Sequence, residues 1–256
     1  MIPKTQIGAQ RHGGSELRFV CWILTGFSLC ARPSEAHPAI VGWRQRDDPI
    51  AGLRARIKTV EKPELVYWND VSLAAFDWRV SAESCQWAQT GYLYWKNFGP
   101  LLGVETFVFA EYDADPTKAE LYGDDTGEDQ GYPVAGENWS YRIEQDEDRE
   151  LYFFWEKHGD AHSGDHWFHI NGGDWQGGTT SFFGEAKYID LPMVGTVSCH
   201  VTFSQLGYQD EPYGSWNGAS GIFPTDWRND NDHQTTGWGT SFVENVSIDI
   251  WDKERN

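Results

Sequence analysis

The sequence lacks the short motifs that identify common catalytic folds, and this limits what it says about function. It contains no G-x-S-x-G nucleophile elbow, no phosphate-binding loop and no dinucleotide-binding glycine fingerprint. Basic side chains are also scarce, because 20 lysines and arginines stand against 39 acidic residues and give a formal net charge of −19. Phosphate binding requires a cationic surface, so nucleic acid is not an expected partner.

Long apolar runs are missing as well. The run Phe19–Cys30 (FVCWILTGFSLC) is too short to cross a bilayer, which takes about 20 residues, so no transmembrane segment is expected. Basic residues precede this run, and the small-residue sequence Ser34-Glu35-Ala36 follows it. This order is typical of an export signal. Residues 1–36 are therefore predicted to be a signal peptide and the protein to be secreted; the alternative is a buried apolar segment.

Only four cysteines are present. Removal of residues 1–36 would leave Cys85 and Cys199, which could form one disulfide in an oxidising compartment. Two separate buried thiols are the alternative.

Aromatic residues, in contrast, are abundant, with 14 Trp, 11 Tyr and 14 Phe. Large rings are costly to expose, so most of them are expected in the core. Some are expected to line a cleft or a contact surface, because fourteen tryptophans are many for one core.

Short apolar and alternating segments separated by turn-rich loops predict the fold. In Thr196–Phe203 (TVSCHVTF) and Asn245–Trp251 (NVSIDIW), apolar and polar residues alternate, as in a strand with one wet face. Antiparallel strands with long loops favour a mainly β, antiparallel β-sandwich or jelly-roll-like fold, and we expect residues 37–256 to form one such domain. The further predicted strands are Leu65–Trp68, Val71–Val80, Val104–Tyr112, Leu151–Trp155, Trp167–Ile170, Thr179–Phe183 and Lys187–Leu191, the last two paired across Gly184.

One short N-terminal helix is expected over residues 47–60 (DDPIAGLRARIKTV). Asp48 could cap it, Pro49 suits its first turn, and Ile50, Leu53 and Ile57 would share a face. The surrounding stretch is basic. Residues 37–62 contain six basic side chains against three acidic ones, whereas residues 63–256 contain 10 against 34. This stretch is expected either to lie against the acidic remainder of the domain or to be a solvated helix face.

Four of the eight histidines fall within residues 158–169 (HGDAHSGDHWFH). Imidazole and carboxylate groups bind transition metals such as Zn or Cu, although no standard zinc spacing is present. His158, His162 and His166 are the predicted metal ligands. The alternative is a polar loop that leads into a strand.

The acidic loops are candidate calcium-binding sites, because calcium takes 6 to 8 oxygen ligands. Asp230 and Asp232, in the run Asn229-Asp230-Asn231-Asp232, are the predicted ligands of a structural calcium ion. Surface acidity in turns is the alternative, since Asp and Asn are favoured there.

Tryptophans in glycine-rich loops suggest a ligand surface. Trp175, Trp216, Trp227 and Trp238 have small or polar neighbours, and a flat ring beside Asp, Asn or Gln can stack on a sugar. The closing strand, Phe242–Trp251, resembles the last strand of jelly-roll carbohydrate-binding modules. The leading prediction is therefore an extracellular carbohydrate-binding protein. The alternatives are a metal-assisted enzyme that uses the 158–169 histidines and a self-assembling structural protein; oligomeric state stays open.

Overall fold

The structure is a computed structural model that describes residues 39–44, 50–66, 70–79, 87–96, 103–113, 120–123, 133–148, 150–157, 166–170, 179–186, 191–218, 225–228, 238–243 and 247–253. Every regular element in these ranges is a strand. The strands are β1 (Ala39–Arg44), β2 (Gly52–Lys58), β3 (Val71–Arg79), β4 (Trp87–Lys96), β5 (Val104–Asp113), β6 (Glu120–Gly123), β7 (Asn138–Gln145), β8 (Leu151–Glu156), β9 (His166–Ile170), β10 (Thr179–Ala186), β11 (Val201–Gln209), β12 (Asn217–Gly218), β13 (Thr225–Arg228), β14 (Trp238–Val243) and β15 (Ser247–Asp252).

The described strands form two antiparallel sheets that pack as a sandwich. Sheet A has the order β13-β1-β10-β3-β4-β5-β6, and sheet B has the order β14-β15-β11-β2-β7-β8-β9, with β12 paired to β11. The mainly β, antiparallel fold predicted from the sequence is therefore confirmed. The described residues include no helix of the length and apolarity needed to cross a membrane.

Among the described side chains, alternate residues of the strands build the core between the sheets. On β2, Leu53, Ala55 and Ile57 are buried and contribute to the core. On sheet A, Phe182 of β10 faces Phe203 of β11 across the sandwich, with ring centroids 6.0 Å apart in an edge-to-face arrangement. Such ring pairs add to the stability that burial alone provides.

Strand β3 is apolar on both of its faces, and this feature distinguishes sheet A from a half-solvated sheet. Ala74 and Phe76 belong to the main core, whereas Leu73 and Ala75 belong to a second apolar cluster on the other side of the sheet. Continuous apolar runs are expected where both faces of a sheet are buried. The outer face of sheet A is therefore dry around Leu73 and Ala75.

The helix predicted over residues 47–60 is wrong. Residues 52–58 form strand β2, which pairs with β7 and β11. The helical interpretation used the spacing of Ile50, Leu53 and Ile57, but the same segment also alternates with a period of two. That alternation buries Leu53, Ala55 and Ile57 and turns the basic residues between them outward, so pairing on both sides outweighs the local helix signals.

Two predicted strand limits also differ from the structure. A single strand, β10, runs through Gly184 and pairs with β1 and β3, so no hairpin forms there. Strand β11 begins at Val201, because Thr196 and Cys199 instead close a short turn with two backbone hydrogen bonds.

Cys199 is half-buried and carries a free thiol. The bridge between Cys199 and Cys85 stays a prediction. Cys85 lies outside the described residues.

Candidate active site

A line of polar residues crosses the outer face of sheet A, and we call it the polar row. Ser181 of β10 lies opposite Asp77 of β3, and Asp77 lies opposite Gln89 of β4. Glu111 of β5 occupies the register position opposite Gln89. Directly opposed residues on antiparallel strands face the same side with Cβ atoms about 5 Å apart, so the Asp77 carboxyl and the Gln89 carboxamide can reach one small ligand.

The polar row is almost inaccessible to solvent. Asp77 is 1% exposed, Gln89 2% and Ser181 0%. Among the described residues, the Ser181 hydroxyl has no hydrogen-bond partner. Burying a polar group without a partner costs free energy, so each such group in a folded protein calls for an explanation, of which a catalytic or binding role is one.

The polar row adjoins the second apolar cluster. The cluster begins at Ala75, two residues before Asp77 on the same face of β3. Phe107 and Trp95, which are half-buried, pack against it. Its buried members are Val71, Leu73, Ala75, Leu93, Phe109 and Phe183. A ligand that reaches the polar row would therefore meet apolar side chains on one flank and little water, which strengthens electrostatic contacts.

Glu185 lies on the same strand and face as Ser181 but does not belong to the polar row. It is 2% exposed and lies opposite Leu73. Four residues separate it from Ser181, a distance of about 13 Å along a strand. Of the described side chains, Asp77 is thus the carboxyl adjacent to Gln89.

The residues after Gln89 hold β4 in place. The Thr90 hydroxyl donates a 2.7 Å hydrogen bond to the Phe109 carbonyl of β5. It also accepts a 2.8 Å hydrogen bond from the Trp155 indole nitrogen of β8, in the opposite sheet. A Cβ atom at Gly91 would overlap the carbonyl oxygen of Ala74, so glycine permits the close approach of β4 to β3. Gln89 is therefore carried by a rigid element, as catalytic groups require.

A carboxyl next to a carboxamide can perform acid–base chemistry. The carboxyl can accept a proton from water and return it to a leaving group. The amide N–H can donate a hydrogen bond to an oxygen that becomes negatively charged. Acyl transfer to water requires these two functions.

Trp216, one of the four predicted ligand-binding tryptophans, lies on the outer face of sheet B. The Arg54 guanidinium lies 4.6 Å from the centre of its ring. A Cβ atom at Gly52 would lie 3.2 Å from the ring edge, so the indole covers this glycine. Trp216 is half-buried and packs against its own sheet.

The other predicted site residues are placed only in part. The backbone of His166 begins β9, that of Trp227 lies in β13 and that of Trp238 begins β14. The described residues contain no group of three or more His, Cys, Asp or Glu side chains that could hold a metal ion. The metal and calcium ligands therefore stay predictions. Trp175, His158, His162, Asp230 and Asp232 lie outside the described residues.

Sequence reasoning missed the polar row. Asp77 was included in the predicted strand Val71–Val80 without attention to its own chemistry, and no strand was predicted over the segment that contains Gln89. A single carboxylate inside VSLAAFDWR and a single carboxamide inside WAQTGYLYW are the available signal, because isolated polar residues are rare in strands that are buried on both faces.

Comparison with known proteins identifies fold relatives. No family model matches the chain, and no curated protein matches it in sequence. Three similar solved structures are peptidases, and each match covers 85% of this chain and 99% of the other. Scytalido-glutamic peptidase with a transition state analog inhibitor has a TM-score of 0.56 at 9% identity, and the same peptidase with a peptide-based transition state analog has 0.53 at 10%. SCP-B, a member of the eqolisin family of peptidases in complex with the tripeptide Ala-Ile-His, has 0.50 at 10%.

These matches show a shared sandwich fold. They also overturn the carbohydrate-binding prediction, since the similar structures are peptidases. That prediction depended on loop tryptophans and on the likeness of Phe242–Trp251 to one strand of a binding module. Alternation in a closing strand is common to many sandwiches and does not distinguish their functions.

Proposed function

We propose that the chain is a peptidase that hydrolyses peptide bonds at the polar row. The observation that carries the proposal is the direct opposition of two buried groups, Asp77 and Gln89, on neighbouring strands. The shared fold with glutamic peptidases supports it, because peptide hydrolysis needs both an acid–base group and an oxyanion donor.

Asp77 acts as the acid–base group in this proposal. Its carboxylate accepts a proton from a water molecule as the water oxygen bonds to the carbonyl carbon of the peptide. The resulting carboxylic acid then donates this proton to the amide nitrogen as the C–N bond breaks. The products are a carboxylic acid and an amine, and the Asp77 carboxylate is regenerated.

Gln89 stabilises the intermediate. Its amide N–H donates a hydrogen bond to the oxygen that gains negative charge when water attacks. Because the site is dry, this interaction is stronger than it would be in water, and the rigid attachment of β4 means that little reorganisation is needed. The Ser181 hydroxyl, on the other side of Asp77, is available to hydrogen-bond the attacking water or the substrate.

Export belongs to the same proposal. The apolar run Phe19–Cys30, preceded by basic residues and followed by Ser34-Glu35-Ala36, supports a secreted enzyme whose mature chain begins near residue 37. N-terminal sequencing of protein from the native source tests this part separately, and an intact Met1 would contradict it.

The activity is tested with the full chain and an unfolded protein substrate between about pH 2 and pH 8, in water enriched in oxygen-18. Mass spectrometry should find new peptide termini with one heavy oxygen at each new carboxyl group. A Gln89→Leu variant should be slower by about 100- to 1,000-fold, as for the loss of an oxyanion donor. Folded wild-type protein that cleaves no peptide at any pH would contradict the proposal.

A further inference from the structure

The outer face of sheet B carries a group of cations, which we call the basic strip. Arg54, Arg56 and Lys58 project from β2, and Arg142 of β7 lies opposite Arg54. The side chains of β2 are half-buried in this region, and Arg142 is buried. Four cations on one face are notable in a chain whose net charge is −19.

Two of these cations are fixed by their neighbours. Arg142 Nε lies 2.7 Å from a Glu144 carboxylate oxygen, and its guanidinium lies 4.1 Å from the centre of the Phe154 ring. Arg54 lies over Trp216, and a Cβ atom at Gly207 would lie 2.7 Å from Arg54 Nε, so this glycine makes room for the side chain. Like charges directly opposite each other destabilise a sheet, and these contacts offset that repulsion.

The carboxylate of Glu144 is itself affected by this environment. Burial raises its pKa above the usual value, although the charges of Arg142 and Arg54 act in the opposite direction. The Glu144 carboxylate thus lies beside the two opposed guanidiniums and opposite Gly52, on the side of Arg54 that is away from Arg56 and Lys58.

Arg56 and Lys58 form the other half of the basic strip. Among the described residues, neither forms an ion pair, and the buried Arg56 Nε has no hydrogen-bond partner. The residues opposite them on β7 are Ser140 and Asn138, which are neutral. A buried guanidinium N–H without an acceptor costs free energy that a bound carboxylate would recover.

We propose that the basic strip binds an extended acidic polypeptide segment. Alternate side chains on β2 are separated by about 6.6–6.8 Å, the same repeat as same-side side chains of an extended peptide. A peptide with Asp or Glu at every second residue therefore places successive carboxylates over Arg56 and Lys58. Guanidinium groups bind carboxylates through two parallel hydrogen bonds. The acidic remainder of the chain repels such a peptide, so binding depends on these local contacts.

This inference does not depend on peptidase activity. It is tested by fluorescence anisotropy with a labelled octapeptide that alternates Glu and Thr, and with a matched peptide that alternates Gln and Thr. The folded full-length protein should bind the acidic peptide and not the neutral one. Raising the salt from about 50 mM to about 500 mM should weaken binding, because exposed ion pairs are screened.

A charge-matched pair of variants separates the basic strip from general electrostatics. Arg56→Gln with Lys58→Gln should weaken binding by at least about tenfold, as expected for the loss of charge-assisted hydrogen bonds. Lys96→Gln with Lys253→Gln removes the same charge elsewhere and should bind as the wild type does. If the double variant does not fold, Lys58→Gln alone should weaken binding, whereas Lys58→Arg, which keeps the charge, should retain most of it.

Three results would overturn the inference. The first is no binding of the acidic peptide by folded wild-type protein. The second is an equal loss of affinity in both double variants, which would indicate bulk charge. The third is binding to anionic phosphatidylserine vesicles without binding to the peptide, which would identify a lipid surface instead.

Discussion

The indole nitrogen of Trp155 and the hydroxyl of Thr90 form a 2.8 Å hydrogen bond that joins sheet B to sheet A. Both residues are buried, and the Thr90 hydroxyl also donates a hydrogen bond to the Phe109 carbonyl on the neighbouring strand. Gln89 precedes Thr90 in the chain and projects from the opposite face of β4. The interior of the sandwich therefore fixes the position of a proposed catalytic group on its exterior face.

Replacing Thr90 by valine should destabilise the protein while preserving its shape. The Trp155 N–H and the Phe109 carbonyl would each lose a partner in a dry core, which should lower the free energy of unfolding by about 1–3 kcal/mol. Chemical denaturation measures this change. Thr202→Val, on the half-buried outer face of β11, is the matched control and should change stability little. Equal effects of the two substitutions would contradict the role of the bridge.

Tyr152 should control part of the response to alkali. Burial, the nearby charges of Asp146 and Glu150, and a 3.3 Å hydrogen bond to Asp146 raise the pKa of Tyr152 to about 12. In the unfolded chain this phenol ionises near 10. The folded protein therefore keeps a proton that the unfolded chain releases, and its stability falls as the pH rises from about 10 to about 12.

A Tyr152→Phe variant should lose less stability over this range. In a pH titration, the tyrosinate absorbance of the variant is subtracted from that of the wild type. The difference should show one phenol with a pKa of about 12. A difference curve with a midpoint near 10 would show that Tyr152 is not shielded in this way.

Glu137 should contribute to stability only when it is ionised. Burial raises the pKa of this carboxyl, but hydrogen bonds from Lys157, Trp139 and the Val134 amide outweigh that effect and hold the pKa below its usual value. The contribution is therefore present above about pH 4.3 and is lost as the pH falls through the lowered pKa.

Glu137→Gln should lower the free energy of unfolding by about 1 kcal/mol near neutral pH, a small value because solvent screens the half-exposed carboxyl. The difference from wild type should shrink below about pH 4. The exposed Glu64→Gln is the control and should have no such effect. A pH-independent difference at Glu137 would indicate lost packing instead of lost charge.

The strands that the sequence predicted are those with a local signature. Val71–Val80, Val104–Tyr112 and Leu151–Trp155 agree with β3, β5 and β8 to within a residue or two. Strand β2 was missed because its alternation carries arginines and lysine on the outer side, and the capping pattern of Asp48 and Pro49 favoured a helix. Its strand conformation results from pairing with β7 and β11, partners that are distant in the sequence.

The polar row could not be predicted from the sequence, because its members come together only through the pairing register of three strands. Asp77 and Gln89 are twelve residues apart, and Ser181 is more than a hundred residues from Asp77, yet all three lie side by side. A shift of one residue in either pairing would turn one member toward the core. Histidines and loop tryptophans are conspicuous in sequence, whereas one aspartate in an apolar strand is not.

The most direct test of the account is the ratio of kcat/KM for peptide cleavage between wild-type protein and Asp77→Asn. This substitution keeps the shape of the side chain and removes its ability to accept and return a proton, so the ratio should be about 100 to 10,000. Asp252→Asn, which alters another buried aspartate in sheet B, should retain wild-type kcat/KM. Peptide cleavage by folded Asp77→Asn at the wild-type rate would contradict the assignment of the polar row as the active site.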